Sequence, residues 1–165
     1  MTRRGLVPTT LLALIVGTAA FANPAASTLV KWPPWLSIES PVNPFDPTTR
    51  GAILLAHATF REGQAQLSDL GGTAEGIVNG ARRSITLRFD TTGRANVFAL
   101  RRQWPADGVW LFRITLRQTT AVVTLDRSGG VASVRVPTEL ASGSQIPRAV
   151  SAKEIDSTLA EVAKR

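Results

Sequence analysis

His57 is the only histidine in this 165-residue chain, and there is no cysteine to pair it with. Ser-His-Asp catalysis would therefore have to run through His57, and no Gly-x-Ser-x-Gly elbow supplies the nucleophile. Transition-metal centres draw on several His, Cys or Met ligands, which rules out a copper-carrier reading: the one Met is Met1. Carboxylates remain. Glu39, Glu75, Asp90 and Asp107 could supply the acid and base of a hydrolase, but each falls on a strand face or in a turn, and Glu75 faces Arg82 diagonally. The pattern predicts neither a catalytic residue nor a cofactor, and His57 reads as a hydrogen-bonded core or boundary histidine.

Two groups of residues could bind. Trp32 and Trp35 flank Pro33-Pro34, a stiff step that would present two indoles to a sugar or protein if exposed, or lay both over the open end of a sandwich if buried. Arg88, Arg113 and Arg117 all take outward positions by strand parity. On neighbouring strands they would form a basic stripe able to grip carboxylates or phosphates bidentately; otherwise they are a scattered, solvated face.

The elements that must position them are strands. Alternation or continuous apolarity marks segments 35–40, 52–60, 73–78, 81–89, 96–102, 109–118, 121–127 and 131–136, separated by Pro, Gly and Asn signals. Segment 52–60 is apolar throughout, as a strand covered on both faces would be. Asn79-Gly80 sets a two-residue hairpin, so Val78 faces Ala81, Ile77 faces Arg82, Gly76 faces Arg83 and Ala74 faces Ile85. Ala74, Val78, Ile85, Leu87 and Phe89 then form a core face. In 109–118, Trp110, Phe112, Ile114 and Leu116 form a dry face, and Leu111, Arg113, Thr115 and Arg117 a wet one. No helical pattern lies between the strands, which excludes a parallel α/β fold. Past Pro137 a polar stretch, 139–150, reads as a linker. Ser151 and Glu154 then have capping-box spacing, and Ile155, Leu159 and Val162 give an amphipathic helix over 152–164 that should dock on its own sheets.

The first 22 residues read as an address. Arg3 and Arg4 precede an apolar run, 6–20, and Ala20-Phe21-Ala22 matches a signal-peptidase site, so cleavage is expected after Ala22, with the mature chain beginning at Asn23. Thr2-Arg3-Arg4-Gly5-Leu6 leaves the twin-arginine route open beside the general one. Losing those two arginines leaves 17 bases against 12 acids, a charge of +5. A basic protein outside the cytoplasm meets anionic lipid and acidic polysaccharide rather than nucleic acid. The expected organisation is signal peptide 1–22, linker 23–34, β domain 35–138, linker 139–150 and helix 151–165.

The stretches Asn96-Val97-Phe98, Gln103-Trp104-Pro105 and Gly108-Val109-Trp110-Leu111-Phe112 resemble the Gly-x-Tyr and Gly-x-Trp-x-Leu ending of secreted bacterial immunoglobulin-like modules, the YtkA-like kind among them, over roughly residues 50–118. Asn96 stands where Gly is usual and Phe98 where Tyr is usual, so a tyrosine-corner hydrogen bond cannot form. The eight short strands predict an antiparallel sandwich or barrel, and the resemblance implies the immunoglobulin-like β-sandwich, so the expected fold is all-β, a sandwich of about seven to eight strands followed by the C-terminal amphipathic helix. The function expected is a secreted or periplasmic, non-catalytic binding or accessory module for a protein or an anionic envelope component. The alternatives are a carboxylate-dependent envelope hydrolase and a structural subunit joined through strand edges or the terminal helix.

Overall fold

The computed structural model describes residues 33–61 and 63–164; Trp32 and the expected signal peptide lie outside the described residues. The chain is built of antiparallel strands with one C-terminal helix. One four-stranded sheet has the order β1-β2-β6-β5, formed by β1 (Trp35–Glu39), β2 (Ala52–Thr59), β6 (Val97–Arg101) and β5 (Asp90–Thr91). The five-stranded sheet has the order β4-β3-β7-β8-β9, formed by β4 (Ala81–Thr86), β3 (Leu70–Val78), β7 (Val109–Leu116), β8 (Thr119–Leu125) and β9 (Val131–Arg135). β10 (Thr138–Ala141) and β11 (Ser144–Pro147) form a separate hairpin, and α1 (Ala152–Ala163) follows.

The inner faces of the two larger sheets meet in one apolar cluster. Leu36, Leu54, Ala56, Phe98 and Leu100 come from the first, and Ala74, Trp110, Phe112, Ile114 and Val123 from the second. The alternation in 109–116 fixes this inward set, as expected. The Asn79-Gly80 hairpin forms in the expected register, with Asn79 at φ 50° and Gly80 at φ 76°. β2 is covered on both faces: Leu54 and Ala56 enter the main core, while Leu55 packs with Val97, Ala99 and Val42 beneath the loop after β1.

Four expectations need correction. Segment 81–89 is not one strand. Residues 81–86 pair with β3, whereas Asp90 and Thr91 pair with β6 in the other sheet. The crossing is pinned by Gln103, whose Oε1 accepts from the Arg88 amide and whose Nε2 donates to the Arg88 carbonyl. Residues 139–150 are not a plain linker, because the β10–β11 hairpin turns at Ser142 and Gly143, both at positive φ. Finally, the outer face of β7 is not wet at Leu111. That side chain is fully buried with Val122, Val150, Ile155 and Leu159, because α1 lies across it. The described strands number eleven rather than seven to eight.

Candidate functional site

Helix α1 begins as its sequence dictates. Ser151 Oγ accepts from the Glu154 amide, and Glu154 in turn accepts from the Ser151 amide. Arg148 Nη2 lies 2.6 Å from Glu154 Oε1. The Arg148 guanidinium, followed by the Ser151 amide and hydroxyl, lowers the Glu154 carboxyl to about 2. A depressed pKa contributes stability that is fully present above the unfolded value near 4.5 and is lost as pH falls toward about 2. Helical circular dichroism is therefore expected to decline over that window, and Ser151→Ala should cost about 0.5–2 kcal/mol in thermal unfolding at neutral pH.

The narrow apolar stripe of α1 buries Ile155 and Leu159 and covers only part of the five-stranded sheet. On one flank Arg82 donates to Asp156 at 2.7 Å, and on the other Arg135 reaches Thr158 Oγ1 only at 3.4 Å, a long, exposed contact. Between α1 and β9 a groove of two adjoining cavities remains, about 420 Å³ and about 310 Å³, which share Thr124 and Val162. The larger carries the hydroxyls of Thr124, Ser133, Ser151, Ser157 and Thr158 beside Arg135, Lys153 and Glu161. Thr124 Oγ1 and Ser133 Oγ lie 2.7 Å apart on the floor.

The acids around this groove are largely engaged. Glu154 faces Arg148, and Asp126 holds the β8–β9 turn through the Ser128 hydroxyl and the Gly130 amide, which lower its carboxyl. Other carboxylates behave alike. Asp69 is lowered first by the Gln66 amide and then by Arg117, and Asp46 by Thr48. Burial raises Glu75, but hydrogen bonds, Ser84 and Arg82 among their donors, outweigh it. His57 Nε2 sits 2.7 Å from Glu39 Oε2, to which Arg94 also donates.

Trp35 is half exposed at the start of β1. The three arginines expected as a stripe attach to three parts of the fold. Arg88 lies at the strand crossing, and Arg113 is half-buried in the middle of β7, its Nε without a partner among the described residues. Arg117 leaves strand parity altogether. Its φ of 52° places it in the β7–β8 turn, with its guanidinium 4.7 Å from the Phe60 ring centroid and bonded to Asp69. The groove residues went unnoticed in the sequence, although Ser133 and Arg135 alternate outward and Lys153, Ser157 and Glu161 follow one helix flank. Their meeting depends on where α1 docks.

No protein-family model, curated protein or solved structure matches the chain. Among the described residues no helix is long and apolar enough to cross a membrane.

Proposed function

We propose that this chain is an exported, non-catalytic module of immunoglobulin-like topology that binds an anionic, polyhydroxylated envelope component in the groove between α1 and β9. The observation that carries the reading is the groove's lining. Five hydroxyls surround Arg135 and Lys153, while the acids nearby at Glu154 and Asp126 are consumed by their own hydrogen bonds. Glu161 alone lines the larger cavity as a carboxylate with no charge partner among the described residues, fit to accept from a sugar hydroxyl. The volume falls within the roughly 300–1,000 Å³ of small-molecule sites. An acidic saccharide matches this chemistry: its carboxylate goes to the two cations and its hydroxyls to Ser and Thr.

The topology is supported by the strand orders β1-β2-β6-β5 and β3-β7-β8, which follow the A-B-E-D and C-F-G orders of immunoglobulin sheets, with β4 and β9 flanking the second. The hydrolase alternative is disfavoured because, of the acids it would draw on, Glu75 is lowered where a general acid needs a raised pKa, and Glu39 and Asp90 are ion-paired with Arg94 and Arg101. Calorimetric titration with a uronic-acid oligosaccharide and with its neutral counterpart tests the reading. Binding of the acidic ligand alone is expected, weakening with salt, and Arg135→Gln with Lys153→Gln should reduce affinity by at least about tenfold without changing the thermal midpoint. Equal binding of the neutral sugar, or affinity untouched by the double substitution, would sink it.

A further inference from the structure

β9 is the outer strand of its sheet, and among the described residues no strand of the other sheet covers it. Across the core, edge strand β1 stands over β8: the Thr119 hydroxyl donates to the Pro34 carbonyl just before β1. The five-stranded sheet therefore overhangs by one strand, and beside β1 there is room for one strand. The burial of β9 records the overhang. Val134 pairs with Val123, which is fully buried in the core, yet Val134 itself is 41% exposed. Val131 and Val136 point the same way, packed against the core cluster without being buried. The ledge is apolar, and the slot is bounded by the edge of β1, which no strand among the described residues pairs, the surface that natural proteins usually block.

We propose that a second copy of this chain fills the slot, β9 of each copy adding beside β1 of the other. Overhang and slot are each one strand wide, and both strands have five residues. A two-fold axis parallel to the strands places the second β9 in the layer of β1. Such an axis preserves strand direction. The start of β8 lies beside the start of β1, where Thr119 bonds the Pro34 carbonyl, so the two strands run the same way, and β9 pairs antiparallel to β8; β9 therefore runs opposite to β1, and the new pair is antiparallel. Parity agrees: Val134 turns inward with Leu36 and Ile38, while Ser133 and Arg135 turn outward with Trp35, Ser37 and Glu39. Charge selects this pairing over like with like. β1 carries one acid and no base, and β9 one base and no acid, so joining β9 to β9 would put two copies of Arg135 and no acid on one strand pair, whereas β9 beside β1, with Ser133 across from Ser37 and Val134 from Leu36, sets Arg135 across from the exposed Trp35. The contact is isologous and closed, so it stops at two copies.

The absence of cysteine gives a clean test. Sedimentation equilibrium of the purified chain is expected to show a dimer at micromolar concentration, and Val134→Lys, a charge that the monomer leaves in water, should weaken it at least about tenfold while leaving the thermal midpoint of the monomer intact. Ser37→Cys combined with Ser133→Cys should give a covalent dimer on mild oxidation, and neither single variant should. Cross-linking by Ser37→Cys alone or Ser133→Cys alone would show like-edge pairing and overturn the proposal. A monomer at all concentrations would do the same and leave the slot to a strand from a different protein.

Discussion

Trp110→Ala is expected to cost about 3–5 kcal/mol in chemical denaturation, the range for truncating a large core aromatic. The indole is 3% exposed, and its Nε1 donates to the Asp107 carbonyl at 2.8 Å, so the loss combines a cavity with an abandoned hydrogen bond. The ring lies across its cross-strand neighbour Gly76, where an added Cβ would stand 2.4 Å from Trp110 Cε3. Gly76→Ala alone should therefore destabilise by about 1–3 kcal/mol through overpacking. The two effects should not add. Once Trp110 is alanine, the methyl at position 76 has space, and the double variant should recover about 0.5–3 kcal/mol relative to the sum of the singles. Strict additivity would mean that the indole does not rest on Gly76, and a cost under about 1 kcal/mol for Trp110→Ala would mean that it is not a core residue.

The burial of Trp110 was legible because the apolar parity of Trp110, Phe112, Ile114 and Leu116 runs unbroken along β7. The Asn79-Gly80 register was legible for a related reason, since a two-residue turn leaves no freedom in pairing. What failed was long-range. Nothing local tells residues 81–89 that Gln103 will draw them to the other sheet, or tells Leu111 that a helix forty residues on will cover it. Arg117 shows the same limit at one position: a left-handed turn residue has no strand face, so parity misplaced it beside Arg113. The groove required both the docking of α1 and the overhang of β9, and neither is a property of any single segment. His57, by contrast, reads from the sequence as a hydrogen-bonded core or boundary histidine; it lies at the boundary, and Glu39 supplies the bond.

Leu159→Ala should have the next largest effect, about 2–5 kcal/mol, since this side chain is 1% exposed and with Ile155 makes the buried stripe of α1. Its consequence is wider than its size. Leu111 and Val122 are core residues only because α1 covers them, so a loosened helix exposes apolar side chains on the outside of a five-stranded sheet. Dye binding to exposed apolar surface should rise before the main unfolding transition. The same substitution should abolish saccharide binding, because Lys153, Ser157, Thr158 and Glu161 reach the groove only while α1 is docked. Arg135→Gln with Lys153→Gln separates the two effects: it removes charge at the groove and leaves the helix seated. If Leu159→Ala lost stability yet bound acidic saccharide with unchanged affinity, the binding surface would lie elsewhere, and half-exposed Trp35 would be the first residue to test.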